Sequence, residues 1–231
     1  MRDPLKGKAI PLQADIESDA HLESLIPRTR EVAGRLDILV NNAGVSDYAT
    51  IENMTDDCFD RTLRHYFVVP FKLARAAIPV MRVQGAGWIV NVGSVTAQRP
   101  LTPFDEFSIH GGANAYAAIK AALARLTQGM AAELQSANIA VNLVAPSTAI
   151  RTPSAVRYIP GDYPGEPVEY IAEAMIELCH LPAAERTGLL AHSLNYVRHL
   201  GVPVYGLDGR ERLPAPVVPA YAHPEIMDAG E

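Results

Sequence analysis

The sequence predicts an α/β protein built on a parallel sheet. Three short apolar segments, residues 36–40, 88–92 and 139–144, have the composition of buried strands. Each runs into a loop of small or polar residues, and long helical segments separate them. Parallel strands need crossover connections of this kind. The chain has 231 residues, is 48% hydrophobic and shows no repeat, so we expect one domain over residues 1–231.

The predicted elements alternate along the chain. In order they are a strand at residues 9–16, a strand at 36–40, a helix at 56–81 capped by Thr55, a strand at 88–92, a helix at 113–134, a strand at 139–144, a helix at 168–180 and a strand at 204–209. Residues 211–231 carry four prolines and are expected to form an extended tail. This tail is a candidate for an arm that reaches a neighbouring subunit.

Tyr116 and Lys120 lie four residues apart in the predicted helix 113–134. One helical turn places the phenol beside the ammonium, and a cation there favours the phenolate. We therefore expect the pKa of Tyr116 to lie below its usual value of about 10, so that the residue can exchange a proton with an alcohol or carbonyl oxygen. A pair at this spacing also arises by chance, so the neighbouring motifs decide whether the pair is catalytic.

Small and polar residues follow the predicted strands. Asn41-Asn42-Ala43-Gly44 follows the strand at 36–40, Ser94 follows the strand at 88–92, and Ala145-Pro146 follows the strand at 139–144. Parallel strands end at one edge of a sheet, which is where open α/β sheets carry their chemistry. Ser94 alone would be read as a strand-end cap. Together with the other loops, its hydroxyl is a candidate for holding a substrate oxygen.

These motifs, in this order, resemble the short-chain dehydrogenase/reductase family over about residues 8–209. The residues that carry the resemblance are Asn41-Asn42-Ala43-Gly44, Ser94, Tyr116 with Lys120, and Val-Asn-Leu-Val-Ala-Pro at residues 141–146 followed by Thr152. The resemblance implies a Rossmann-like, doubly wound parallel sheet. It also implies hydride transfer between NAD or NADP and an alcohol or carbonyl substrate.

The resemblance assigns three catalytic roles. Tyr116 would be the general acid/base, Lys120 would lower its pKa and hold the nicotinamide ribose, and Ser94 would hydrogen-bond the reacting oxygen. The cofactor contacts it implies are Asp15, Ile16, Asn41, Ala43, Gly44, Tyr116, Lys120, Pro146, Ile150 and Thr152. Asp15 would touch only the adenine side, so the choice between NAD and NADP stays open.

The sequence departs from the family at its beginning, because no glycine-rich phosphate loop occurs in it. The segment 9–16 looks like the family's third strand, so the first two strands and their helices are missing. The strand at 36–40 would then be an exposed apolar edge. We expect a truncated or misassigned reading frame. The alternatives are an impaired subunit that pairs with another polypeptide and a gene fragment that does not fold.

Further departures surround the predicted site. Tyr66 stands where the family usually carries a catalytic asparagine. One alternative is that Tyr66 or His65 substitutes for the asparagine as a hydrogen-bonding group. The other is that Tyr66 is an aromatic residue that packs between helices. Ser147 stands where glycine is usual, and Thr152 comes one position late. The long segment 98–114 is expected to form a lid or substrate wall, with His110 in solvent. Segment 152–167, which contains Tyr158 and Tyr163, is expected to cover the substrate.

Composition limits the remaining classes of function. A net charge of −6 and a pI of about 5.6, with scattered basic residues, argue against nucleic-acid binding. No segment reaches the roughly 18 apolar residues of a membrane span, and residues 1–8 lack the apolar core of a signal peptide, so we expect a cytoplasmic protein without membrane contact. Cys58 and Cys179 form no metal or redox motif.

Helices 56–81 and 113–134 are expected to build a homodimer or homotetramer.

Overall fold

The protein folds as four parallel strands with helices on both faces. The computed structural model describes residues 9–45, 47–153, 155–156, 159, 161 and 164–230. The strands are β1 (Ile38–Asn41), β2 (Gly87–Val92), β3 (Ile139–Ala145) and β4 (Leu190–His192), and they lie in that order across the sheet. The predicted α/β class with a parallel sheet is therefore confirmed.

Seven α-helices precede, connect or follow these strands within the described ranges. They are α1 (Asp19–Ala33), α2 (Asp56–Leu63), α3 (Val69–Gln84), α4 (Glu106–His110), α5 (Asn114–Leu134), α6 (Val168–Glu177) and α7 (Ser193–Leu200). A single π-helical turn, Arg64–Val68, joins α2 to α3. The Thr55 hydroxyl accepts a hydrogen bond from the Cys58 N–H at 3.3 Å, so the predicted cap of α2 is confirmed. None of these helices is long and apolar enough to cross a membrane.

The pleat of the strands divides the apolar side chains between two cores. Leu39, Ile89 and Val141 form one row across β1, β2 and β3, and this row packs against α1, α3 and α5. Val90 and Val144 belong to the second core, which faces α6 and α7. Both faces of the central strands are thus covered, which explains their continuous apolar sequences.

The expected strand at residues 9–16 is wrong. Residues 9–15 form no strand, and residues 16–17 lie in a turn that leads into α1. A strand exists only when a neighbour accepts its backbone hydrogen bonds, and the strands that would flank this segment are absent from the described sheet. The segment is held instead by the Arg28 guanidinium, which donates to the Gln13 carbonyl oxygen at 3.1 Å.

The exposed edge that the sequence predicts is confirmed. β1 is the first strand of the sheet and pairs only with β2 among the described residues. Ile38 and Val40 are 44% and 39% exposed, whereas Leu39 between them is buried. One side of this strand is therefore an apolar surface with an open hydrogen-bonding edge.

The expected final strand at residues 204–209 is also wrong. Tyr205 and Arg212 form a single antiparallel bridge, and the residues between them make a turn in which Gly209 has φ 72°. The fourth strand is β4, and α7 follows it directly. Three residues are too few to show a strand periodicity, which is why the sequence did not predict β4.

The proline-rich tail packs against its own chain rather than extending away from it. The Tyr221 hydroxyl donates to the Pro164 carbonyl oxygen at 2.9 Å, and Asn195 donates to Asp228 at 2.9 Å. Arg99 and Glu225 form an ion pair. These contacts place the described part of the tail beside the loop that follows β2.

Candidate active site

Ser94 and the start of α5 meet at the carboxyl end of β2. Ser94 begins a short turn, and its Oγ accepts a hydrogen bond from the Thr96 N–H at 3.2 Å and lies 2.9 Å from the Thr96 hydroxyl. Tyr116 lies in the first turn of α5, and Lys120 lies one turn later. The structure therefore brings the three predicted catalytic residues to one place.

Lys120 is buried with its amine held by the backbone. The side chain is 3% exposed, and Nζ donates to the Val92 carbonyl oxygen at 2.6 Å. Because burial disfavours the charged form, the pKa of Lys120 falls from 10.5 to about 7. The amine can therefore gain or lose a proton near neutral pH.

The expected depression of the pKa of Tyr116 is not found. Burial raises the pKa of this phenol above its usual value, and Tyr48 and Tyr66 add to the rise. A hydrogen bond with Ser94 acts in the opposite direction. The Lys120 Nζ lies 5.6 Å from the centre of the Tyr116 ring and is directed at the Val92 carbonyl. The phenol of Tyr116 is therefore neutral at neutral pH.

Tyr66 packs as an aromatic within the site, in the π-turn between α2 and α3. Its ring meets that of Tyr116 edge to face, with centres 5.2 Å apart, and the Lys120 Nζ lies 4.1 Å from its centre. A Cβ built on Gly44 would lie 2.7 Å from the Tyr66 ring, so the ring rests on this glycine. Tyr48 approaches Tyr116 from a further side, with ring centres 5.4 Å apart.

His65 lies next to Tyr66 in the chain but has a different environment. It is buried, its Nδ1 lies 3.1 Å from both the N–H and the carbonyl oxygen of Val45, and its Nε2 lies 3.1 Å from a Glu17 carboxylate oxygen. It therefore joins the loop after β1 to the segment before α1. The sequence singled out His65 as a hydrogen-bonding group but gave no sign of these partners.

Asn41 leaves one acceptor open at the end of β1. Its amide Nδ2 donates to the side-chain Oδ1 of Asn91 at 2.8 Å, which ties β1 to β2. Its own Oδ1 is buried without a hydrogen-bond partner. Ala43 and Gly44 are exposed just beyond it. An unpaired buried acceptor beside accessible backbone fits a ligand that brings donors, such as the hydroxyls of a nucleotide.

The remaining predicted cofactor contacts lie at two other places. Asp15 is exposed and its Oδ1 accepts from the Glu17 N–H at 2.9 Å, while the Ile16 side chain packs against the core. Pro146, Ile150 and Thr152 follow β3, where the Thr152 N–H donates to the Ile150 carbonyl oxygen at 3.0 Å. A cavity of about 300 Å³ lies between Ile150 and Pro167.

Ser147 anchors the loop after β3 to α7. Its Oγ donates to Asn195 Oδ1 at 2.9 Å, and its N–H donates to Ser193 Oγ at 3.0 Å. Ser193 in turn donates to the buried carboxylate of Glu166, which also accepts from Thr148 at 3.2 Å. Burial raises the pKa of Glu166. A glycine at 147 could not make the Oγ bond to Asn195. Glu166 and Ser193 could not be predicted from sequence because they are distant from Ser147 in the chain.

The long segment 98–114 contains α4 and is tied to the rest of the site. Asp105 caps α4 by accepting from the Ser108 N–H at 2.7 Å, and the Ala49 N–H donates to the Gly112 carbonyl oxygen at 3.0 Å. His110 is exposed, as the sequence predicted. Tyr158 and Tyr163 of the expected cover lie outside the described residues. The role of both segments as substrate walls stays a prediction.

Comparisons with known proteins agree with this architecture. The family described as short chain dehydrogenase matches residues 2–159. An uncharacterized oxidoreductase of Thermotoga maritima is 38% identical over 62% of this chain and 52% of its own length. The 3-oxoacyl-[acyl-carrier-protein] reductase FabG of Vibrio harveyi is 30% identical over 80% of this chain and 75% of its own.

A solved structure gives the same fold. The gluconate 5-dehydrogenase of Burkholderia cenocepacia J2315, in complex with NADP and tartrate, superposes with a TM-score of 0.64 at 26% identity, over 78% of this chain and 72% of that one. The chain spans about half the length of the first curated relatives it matches, 52% of one and 57% of another.

Proposed function

The chain belongs to the short-chain dehydrogenase family, and we propose that it transfers a hydride between NAD or NADP and an alcohol or carbonyl substrate. The observation that carries this proposal is the convergence of Ser94, Tyr116 and Lys120 at the carboxyl end of β2. A hydroxyl donor, a phenol and a buried amine are the groups that a carbonyl oxygen needs when it gains a proton.

The residues at the ends of β1 and β2 suit the nicotinamide end of such a cofactor. When bound, NAD or NADP would supply or accept the hydride. The unpaired Asn41 Oδ1 and the amine of Lys120 would hold its polar groups, and the exposed backbone of Ala43 and Gly44 would allow close approach. Pro146, Ile150 and Thr152 would border it on the far side. The selection of NAD over NADP stays open.

Tyr116 is proposed as the general acid in carbonyl reduction. Its raised pKa keeps the proton on the phenol at neutral pH, so transfer of that proton to the substrate oxygen requires neighbouring groups that stabilise the phenolate. Ser94 donates a hydrogen bond to the same oxygen. Lys120, with a pKa of about 7, supplies positive charge or a proton as the phenolate forms. In alcohol oxidation the same groups act in reverse.

The substrate is proposed to be a small alcohol or carbonyl compound with an apolar part. Phe104 and Phe107 are exposed in segment 98–114, beside the site. Such side chains favour a ring or an acyl chain. The two named relatives reported above act on an acyl-carrier-protein thioester and on gluconate, so they do not agree on a substrate for this chain.

Cofactor binding can be measured without a substrate. Trp88 is the only tryptophan, and its Nε1 donates to the Leu181 carbonyl oxygen at 2.8 Å, which fixes it on β2. We expect saturable energy transfer from Trp88 to NADH or NADPH. Folded protein that shows no transfer with either at millimolar concentration would contradict the proposal.

A second candidate function is favoured by the edge of β1. Ile38 and Val40 expose an apolar strip beside unpaired backbone groups, which suits addition of a strand from another polypeptide. In that case the chain is an impaired subunit that assembles with a complete relative. Recovery of a stable hetero-oligomer after co-expression with such a relative would favour it over the enzyme acting alone.

Assembly into a homodimer or homotetramer and a cytoplasmic location are also proposed. Phe59 and Phe71 are exposed along α2 and α3, the helices expected to build the subunit interface. Light scattering on purified protein measures the subunit number directly, and a monomer at micromolar concentration would contradict the proposed assembly.

A further inference from the structure

Tyr66 is an aromatic residue of the site for which the proposed proton transfer has no use. Its ring lies between Gly44, at the loop after β1, and Lys120, on α5. The Gly44 contact is close enough that any Cβ there would fall 2.7 Å from Tyr66 Cε1 and 2.9 Å from Cζ. The ring therefore fills the space between the β1 loop and the catalytic helix.

Several contacts hold the ring in this position. The Lys120 Nζ lies over its face at 4.1 Å from the centre, and Tyr116 meets it at an angle of 86°. A buried cation over an aromatic face is stabilising, and the edge-to-face arrangement is a preferred one for two rings. The adjacent His65, held by Val45 and Glu17, fixes the π-turn from which Tyr66 projects.

The ring touches two residues that the proposed function assigns to the cofactor, Gly44 and Lys120, and it also touches the proposed acid Tyr116. It therefore occupies space beside the groups that a bound nicotinamide ribose would have to reach. The cavities of about 450 and 300 Å³ lie elsewhere, one between α1 and α3 and the other beside Ile150. Neither is lined by Gly44, Tyr116 or Lys120.

We propose that Tyr66 is a gate of the cofactor site, whose ring must swing away from Gly44 and Lys120 before the nicotinamide end can bind. This inference rests on the proposed function. Tyr66 is only partly buried, and the proposed movement turns its ring toward the solvent. The apparent affinity for the cofactor is then the intrinsic affinity multiplied by the fraction of molecules in which the ring has swung out.

Opening the gate changes two groups at once. The face of Gly44 that the ring covers becomes accessible in addition to its already exposed backbone, because glycine has no side chain to replace the ring. The Lys120 amine loses the aromatic face and becomes free to meet the hydroxyls of the ligand. The ring thus protects a buried amine in the absence of cofactor and yields that contact when cofactor is bound.

The test is a titration with NADH and with NADPH, followed by energy transfer from Trp88, on wild type, Y66N and Y66F. We expect Y66N to bind about tenfold more tightly than wild type, since it removes both the steric block and the cation–π contact. Y66F keeps the ring and is expected to stay within about twofold of wild type on the same reasoning. Y205N, which makes the same tyrosine-to-asparagine change at an exposed position outside the site, is the matched control and should leave the affinity unchanged.

Each other outcome overturns the gate. Equal, saturable binding by wild type and Y66N would overturn it while leaving the proposed function in place. An equal gain in Y66F and Y66N would assign the effect to the hydroxyl rather than the ring. Absence of saturable transfer in both wild type and Y66N, each folded by circular dichroism, would overturn the gate and the proposed function together.

A second measurement uses wild type alone and so does not depend on the folding of a variant. Tetranitromethane nitrates accessible tyrosines, and peptide mass spectrometry reads the extent at Tyr66. We expect saturating cofactor to increase nitration of Tyr66 several-fold as the ring moves into solvent. Unchanged or reduced nitration of Tyr66 would overturn the gate.

Discussion

The amine of Lys120 donates a 2.6 Å hydrogen bond to the carbonyl oxygen of Val92, at the end of the strand that delivers Ser94. This bond fixes α5 against the carboxyl end of β2 and so positions Tyr116, which lies one helical turn before Lys120. It also holds a titratable group in a buried place, where its charge is costly. The stability of the protein should therefore depend on pH through Lys120.

Replacing Lys120 by methionine should change the pH dependence of unfolding. The pKa of Lys120 is about 7 in the folded chain and about 10.5 when unfolded, so unfolding takes up a proton between these values. Wild-type stability should rise with pH across that window relative to K120M, by at most about 5 kcal/mol. Urea unfolding of both proteins from about pH 6 to about pH 10.5 measures this difference. Parallel curves for the two proteins would contradict a buried, depressed lysine.

Replacing Tyr116 by phenylalanine should remove catalysis without unfolding the protein. Loss of a positioned acid lowers the rate by at least about 100-fold, while the ring that packs against Tyr66 and Tyr48 remains. Turnover of a substrate found by screening measures the effect. Y205F, an exposed tyrosine outside the site, is the control. Comparable turnover in Y116F and wild type would exclude Tyr116 as the acid.

Tyr116 should also be visible in alkaline titration. Because its pKa is raised, the folded chain keeps this proton above pH 10, where the unfolded chain has lost it. Unfolding then releases a proton, so this group makes stability fall as pH rises past about 10. Absorbance at the phenolate band, wild type minus Y116F, should show no Tyr116 ionisation until the protein unfolds. An ordinary titration of Tyr116 near pH 10 would contradict its burial.

The sequence predicts the central part of this fold well and its borders poorly. Ile89, Val90 and Val141 lie in continuous apolar segments, a local pattern that follows from burial on both faces. Residues 9–16 have a similar pattern but no partner strand, and pairing cannot be read from one segment. β4 and α1 were not predicted, the former because it has only three residues.

The site shows the same division. The spacing of Tyr116 and Lys120 places both on α5 because helical periodicity is local. The rise in the pKa of Tyr116 comes first from its burial and then from Tyr48 and Tyr66, all of which arise only through the tertiary fold. The network of Ser147, Glu166 and Ser193 likewise joins residues that are distant in the chain. Contacts of this kind cannot be predicted from residues that are neighbours in the sequence.

Replacing Ser193 by alanine should destabilise the loop that follows β3. Ser193 donates to the buried Glu166 carboxylate and accepts from the Ser147 N–H, so its loss leaves two buried groups short of a partner. We expect a loss of about 1–3 kcal/mol in the free energy of unfolding. Chemical denaturation measures it, with S136A on an exposed turn as the control, expected within about 0.5 kcal/mol of wild type. Equal stability of S193A and wild type would mean that the network is not a structural anchor.

Charge placed on the edge of β1 should reduce self-association. Ile38 and Val40 are exposed on a strand whose outer edge has no partner in the described structure, and such an edge favours pairing with another chain. Because both side chains point away from the core formed by Leu39, I38K and V40K should leave the free energy of unfolding within about 0.5 kcal/mol of wild type. Light scattering against concentration should show less large aggregate in each variant. V83K adds the same charge at the most exposed apolar side chain of α3 and should leave the aggregation unchanged. If V83K lowers aggregation as much as V40K does, net charge rather than the open edge of β1 controls association.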